Sequence, residues 1–343
     1  MKRFASALLV FALLLCAAGC SGKGGNKSND SSKGNNGSNI SSNTDVNWPT
    51  GATTIFVGAQ AGSNLDLKAR IVAKYLTEEL GVAVVVENRP GGGGITSCTQ
   101  YLSESANTNN IQYLAASYVA VAPIYNEVDY SADDFVTVAG VDSVDNGFFV
   151  DANLGINSID DLVAYGKDNI IKFASTGVGS DTFLLSRALM EKLGLESDTV
   201  VGGGFPDMIL STISGTTQIT YCSLETARQY VADGSLIPIA TCTPDAYTGY
   251  ADEGFASVPS LNELGYGIEY STITWLALRS GTDDAIVAKL ASALDAVYAN
   301  ADFQKEMKDA GFFMLEDPSS AAVSERIDTM VSSCQEFANL IAQ

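Results

Sequence analysis

Two rhythms of apolar and polar positions run along this chain. Residues 53–59 (TTIFVGA), 82–87 (VAVVVE) and 111–116 (IQYLAA) are short β-rich or apolar runs, and each predicts a strand. Nearly every position of 82–87 is apolar or β-branched, which predicts a strand covered on both faces. Between the first two runs, Leu67, Ile71, Val72, Tyr75, Leu76 and Leu80 recur at steps of three and four, one face of a helix, and Gly81 supplies its stop. After the second run come Asn88-Arg89-Pro90, four glycines, and a helix predicted over 96–105. Strand, glycine or polar turn, helix is the repeating unit of an open α/β sheet, whose ligand crevice lies at the carboxyl ends of the strands.

The unit recurs downstream. A strand is expected within 130–138 and a separate one from 147, with the chain passing into a second domain between them. Helix 157–165 is capped by Asn157 or Ser158, and strand 171–174 follows. Helix 181–193 carries Leu185, Leu189 and Leu193 on one face, with Gly194 just past its end. Gly202-Gly203-Gly204 and Pro206 open another helix. Strand 218–222, helix 223–232 and strand 236–241 complete this part. Strand 272–278 returns to the first domain. Helix 283–298 buries Ile286, Val287, Leu290, Leu294 and Val297, and helix 319–341 buries Val323, Ile327, Val331, Cys334, Phe337 and Ile341. Passage out and back makes a hinge, and hinged α/β lobes close around ligands.

The first twenty residues read as targeting rather than fold. Lys2 and Arg3 precede an apolar run, 4–15, too short to read as a membrane span. Ala17, Ala18 and Gly19 then lead into Cys20, which resembles a bacterial lipoprotein signal with Cys20 lipidated; an ordinary secretory signal is the alternative. Residues 21–47 are Gly, Ser, Asn and Lys with almost nothing apolar, the composition of a flexible tether.

Composition narrows the chemistry. Of 343 residues 40 are acidic and 19 basic, a net charge of −21, which disfavours nucleic acid and anionic lipid as partners. There is no histidine, so the commonest general base and zinc ligand are both missing, and no nucleophile–base pair assembles. Cys98, Cys222, Cys242 and Cys334 have no CxxC spacing, so no metal site is expected. Cys222 with Cys242 is the disulfide to test, against four buried free thiols. Pro90 to Gly94 lacks the lysine and hydroxyl of a phosphate loop and the spacing of a dinucleotide fingerprint. Asp133 and Asp134 read as a turn start. No cofactor is expected.

Five loops remain as ligand candidates: 59–66, 117–118, 175–182, 202–206 and 223–225. Each joins a strand end to a helix start, where glycine allows close approach and free N–H groups carry about half a positive charge. Turn and capping chemistry alone accounts for any one of them; five around one crevice would hold a carboxylate without lysine or arginine.

The residues 84–94, VVVENRPGGGG, resemble the VVENRPGAGG signature of the substrate-binding proteins of tripartite tricarboxylate transporters, the Bug family. Residues 57–66, 130–135 (YSADDF), 174–180 and 258–265 (VPSLNELG) match further family segments in the same order, over nearly everything from Thr53 onward. The resemblance implies a two-lobed periplasmic-binding-protein fold (type II-like) with a ligand cleft between lobes and two hinge crossovers. Lobe 1 would be 48–147 plus 273–343, and lobe 2 would be 148–272. It implies a small organic anion as cargo, membrane transporter subunits as partners, and no catalysis. By position, the ligand residues would be Ala59, Gln60, Gly62, Ser63, Asn64, Ser117, Tyr118, Ser175, Thr176, Gly179, Ser180, Asp181, Thr182 and Gly204, with Cys222 and Ser223 where the family often has an aspartate. Gly202-Gly203-Gly204 stands where the family often has Tyr-Lys-Gly, which removes bulk and a positive charge and argues against a citrate-like trianion. The expectation is an extracytoplasmic, lipid-anchored solute-binding protein. A sensor subunit feeding a membrane kinase, or a binder of a non-carboxylate small molecule, are the alternatives.

Overall fold

The computed structural model describes residues 46–342. The signal, Cys20 and most of the tether lie outside the described residues. The body opens with β1 (Thr53–Val57), α1 (Asn64–Leu80), β2 (Val84–Asn88), α2 (Ile95–Leu102) and β3 (Asn110–Ala115). Two short helices, α3 (Ala116–Ala120) and α4 (Ala122–Tyr125), lead to the long β4 (Phe135–Asp151). Then come α5 (Ile159–Gly166), β5 (Ile171–Ser175), α6 (Asp181–Leu193), β6 (Ser197–Val201), α7 (Phe205–Ile213), β7 (Ile219–Ser223), α8 (Leu224–Ala232) and β8 (Leu236–Thr241). The return is β9 (Ser271–Arg279), followed by α9 (Asp284–Ala299), α10 (Ala301–Asp309) and α11 (Ser320–Ile341).

The strands run in the order β2-β1-β3-β9-β4-β7-β5-β6, with β8 also on β4. β4 belongs to two sheets. Its first part pairs with β9 as far as Asp145 opposite Ser271, and from Asn146 opposite Ser223 it pairs with β7 and β8. Separate strands before 138 and from 147 were expected; one strand of 17 residues is found. The polar run Asp142, Ser143, Asp145 and Asn146 breaks the hydrophobic pattern because it lies where the strand leaves one sheet for the other.

β2 also departs from expectation. It pairs only with β1, at the sheet edge, and Val85 is 50% exposed. Its valines reflect β propensity rather than cover on both faces. The α3 helix was unexpected: Ser117 and Tyr118 sit inside it rather than in an open loop. Helix α10, started by the Asn300 side chain accepting from the Asp302 and Phe303 amides, was also not foreseen.

Apolar residues cover both sides of the first sheet. Ile55 and Val57 of β1 face α1 and α9, while Phe56 between them faces Tyr101 of α2. All four cysteines among the described residues are buried free thiols. Strand β4 separates Cys222 of β7 from the end of β8, which Cys242 follows. Two strand spacings, about 9–10 Å, exceed what a disulfide spans. Among the described residues no helix is long and apolar enough to cross a membrane.

Candidate functional site

The register places the five loops. β9 is antiparallel to both β3 and β4, so β3 and β4 run the same way, and Ala115 at the end of β3 and Asp142 of β4 both pair with Thr274. β1 and β2 are parallel to β3. β7 runs against β4 and ends at Ser223 opposite Asn146; β5 and β6 run with β7. The carboxyl ends of β1, β2 and β3 therefore meet those of β5, β6 and β7 at the level of residues 142–146 of β4.

A cavity of about 490 Å³ lies there, within the range of small-molecule sites. Its wall takes Asn64 and Lys68 from α1, residues 142–145 from β4, Phe205 from α7, Ser223 from the end of β7, and residues 224–226 and Arg228 from α8. The segment 310–313 after α10 closes another side. Three helix starts thus border one space. Ser63 caps α1 through the Asp66 amide and Ser223 caps α8 through the Thr226 amide, each at 3.3 Å, while Gly204 before α7 supplies no side-chain cap.

Of the expected ligand residues, Asn64 and Ser223 line this cavity, and Gly204 adjoins Phe205 in its wall. Ala59, Gln60, Gly62 and Ser63 form the tight loop before α1. There the Gln60 carbonyl accepts from Ser63 N at 3.1 Å and the Gly62 amide donates to Asp66 at 2.8 Å. Ser117 spends its carbonyl on the Val121 amide, within the α3 turn. The Tyr118 ring is 6% exposed and packs beneath Gly58 and Gly94, so it is a floor for two loops rather than an open hydroxyl.

The 175–182 loop is largely self-satisfied. Ser175 Oγ lies 3.0 Å from Thr199 Oγ1, the Thr176 amide donates to Thr182 Oγ1 at 2.9 Å, and Ser180 caps α6 through the Phe183 amide at 3.2 Å. Gly179 adopts φ 91° against the Tyr125 ring. Burial raises the Asp181 carboxyl above the ordinary aspartate range, although the Thr182 amide partly offsets it. Cys222 is fully buried beneath α8, and burial pushes its thiol far above the ordinary value; it does not line the cavity.

Several wall residues were missed. Lys68 Nζ lies 2.5 Å from Asp142 Oδ2, with both side chains nearly excluded from solvent. Thr274 of β9 donates to the other Asp142 oxygen, and Tyr113 OH lies 3.1 Å from Thr274 Oγ1. Arg228 is held by Glu225 at 3.1 Å, Glu253 at 2.7 Å and the Tyr247 hydroxyl at 3.0 Å. The one available signal for Lys68 was a lysine three and four residues before Ile71 and Val72, inside the apolar stripe of α1. Both cations are already matched by carboxylates. Positive potential for an anion therefore comes chiefly from main-chain amides at the helix starts. Asp145 keeps contact with solvent yet sits deep enough that desolvation raises its carboxyl, against the opposing pull of Arg326.

Asp66 gives the site a pH dependence. Burial alone would raise its carboxyl, but hydrogen bonds from Arg70, the Gly62 amide and Asn88 outweigh that and hold it below the ordinary aspartate value. A depressed folded-state pKa stabilises the fold above the unfolded value, about 3.9, and is lost as pH falls through the folded one. Melting in a pH series should show this contribution intact at pH 5 and fading below about pH 4, and Asp66→Asn should flatten that limb. An unchanged acid limb in Asp66→Asn contradicts the assignment.

Comparison with known proteins bears on the fold and the family. Over 255 residues the chain is 27% identical to a UPF0065 protein of Bordetella bronchiseptica, covering 74% of this chain and 75% of that one. The fold matches a TctC solute-binding protein from Polaromonas with a TM-score of 0.73 at 20% identity, over 86% of this chain and 99% of the other. It also matches MatC from Rhodopseudomonas palustris, solved with bound malate, with a TM-score of 0.67 at 18% identity, over 85% of this chain and 100% of the other. These matches establish the periplasmic-binding-protein fold. The family model "Tripartite tricarboxylate transporter family receptor" matches residues 68–329, most of the chain. The chain therefore belongs to the tripartite tricarboxylate transporter receptor family, and its role is solute binding.

Proposed function

We propose that this protein captures a small carboxylate outside the cytoplasm and delivers it, chemically unchanged, to the membrane subunits of a tripartite tricarboxylate-type transporter. The observation that carries the reading is the 490 Å³ cavity bordered by the starts of α1, α7 and α8, with its two cations already paired. Free amides at three helix starts suit carboxylate oxygens, and the malate held by MatC is a ligand of that kind. The lobes would be 48–147 plus 273–343, and 148–272; the change of β4 partners between Asp145 and Asn146 supports that division. β4 and β9 would act as the hinge strands, and closure across them would enclose the ligand. In this reading Asn64, Gly204 and Ser223 would meet the ligand, and the loops Ala59 to Ser63, Ser117–Tyr118 and Ser175 to Thr182 would shape the cleft around them, with Cys222 buried behind Ser223. A lipid on Cys20 and the tether 21–47 would hold the body at the membrane.

A thermal-shift panel on a protein comprising residues 46–343 tests the ligand class. It would hold malate, adipate, citrate, acidic amino acids and neutral amides. At a hundred times its dissociation constant a ligand adds about 2.7 kcal/mol, which at this size is roughly 5 °C. A rise with one or more carboxylates, smaller with citrate, is expected. A rise confined to neutral amides would overturn carboxylate capture.

A further inference from the structure

The ENRPGGGG signature makes no phosphate loop, and the cavity wall does not include it. Its asparagine instead reaches the loop before α1. Asn88 Nδ2 donates to the Ala59 carbonyl at 3.0 Å and to Asp66 Oδ1 at 2.9 Å, and Asn88 Oδ1 accepts from Arg70 Nη2 at 3.1 Å. Asp66, 1% exposed, accepts the Gly62 amide at 2.8 Å and Arg70 Nε at 3.0 Å through its other oxygen. Every polar atom of the Asn88 amide is thus used, and the three side chains close a ring.

The ring fixes two peptide planes. In a trans peptide the C=O and the following N–H point in opposite directions. Anchoring the Ala59 carbonyl on Asn88 therefore aims the Gln60 amide away from Asn88. Anchoring the Gly62 amide on Asp66 likewise aims the Ala61 carbonyl away from Asp66. The loop's outward donor and acceptor are set from beneath, by groups that face the opposite way. The Gly62 anchor, on a charged and buried acceptor, is stronger than a neutral bond.

We propose that Asp66, Asn88 and Arg70 are positioning residues that preorganise the 59–63 backbone for ligand, with Asn88 as the working residue of the signature. Their part in capture rests on the ligand site proposed above; their part in shaping the loop does not.

The test compares wild type, Asn88→Ala and, as a destabilised control, Leu162→Ala, whose side chain is fully buried in α5 of the other sheet's cover. Two readouts are taken: hydrogen exchange across 58–66 in ligand-free protein, and malate affinity by calorimetry. Asn88→Ala is expected to speed exchange in 58–66 and to weaken malate binding, each by about tenfold, the equivalent of losing one or two hydrogen bonds. Leu162→Ala should lower the melting temperature at least as much and leave both readouts at wild-type values. Unchanged exchange in Asn88→Ala overturns the proposal. Faster exchange with unchanged malate affinity overturns the link to capture, as does an equal loss in Leu162→Ala. If wild type takes up no malate, carboxylate capture fails for that ligand, while exchange still decides whether the ring sets the loop. Asn88→Asp should exchange at least as fast as Asn88→Ala, because it places a second carboxylate against Asp66 and loses the donor to Ala59.

Discussion

Replacing Lys68 by alanine is expected to lower stability by about 3–5 kcal/mol, among the largest single effects in this chain. Lys68 and Asp142 face each other at 2.5 Å, and the side chains keep 6% and 1% of their exposure. Removing the lysine leaves a carboxylate in the interior with the Thr274 hydroxyl but no counter-charge. The cost comes from that stranded charge rather than from the pair's own worth, because desolvating both ions offsets much of their attraction. The double substitution Lys68→Met with Asp142→Leu should therefore recover most of the loss. Calorimetric melting decides: a fall of roughly 10 °C for Lys68→Ala, largely reversed in the double variant, is the expected pattern. A single variant within about 1 kcal/mol of wild type would show that water reaches Asp142 and that the pair is not a buried one. The double variant should still bind ligand, since Lys68 is occupied by Asp142 and the amides at the helix starts remain.

Gly94→Ala should be nearly as damaging, by about 2–4 kcal/mol, for a steric reason. Gly94 has φ 102°, which side-chain-bearing residues rarely adopt, and an added Cβ would fall 2.3 Å from Tyr118 Cδ1. Gly58 meets the same ring from the first loop, where a Cβ would lie 2.7 Å from Tyr118 Cε2. One tyrosine is thus clasped between two loops, and moving it for the sake of Gly94 shifts both. Gly93→Ala is the control: its φ is 64°, but no atom lies within 4 Å of the added Cβ, so it should cost only the backbone strain, about 1 kcal/mol. Chemical denaturation of the two variants checks this. Equal losses at Gly93 and Gly94 would mean the Tyr118 contact does not matter.

Patterns that depend on local spacing were legible in the sequence. The helices expected at 283–298 and 319–341 appear as α9 and α11, within a residue or so at each end, because apolar residues at three- and four-residue steps need only one covered face. Most strand-to-helix turns were legible for the same reason, glycine, serine and proline at helix starts carrying local rules; 117–118, inside α3, was the exception. Tertiary choices were not. β4 looked like two strands because its polar middle is a passage between sheets, and period-two patterning has no sign for that. The valines of β2 do not reveal that the strand lies at an edge. Lys68 reads as one cation on a helix until Asp142, 74 residues later, is brought against it. Family likeness pointed to the signature at 84–94, but that Asn88 holds the Ala59 carbonyl is a contact across 29 residues which spacing does not encode.

A crystal structure of residues 46–343 grown with malate tests the central claim most directly. The account predicts one malate in the cavity between Asn64 and Ser223, its carboxylate oxygens within about 3 Å of main-chain amides at the starts of α1, α7 or α8, with the Lys68–Asp142 pair intact. Malate bound elsewhere, or held in the cavity by Lys68 drawn away from Asp142, would contradict it.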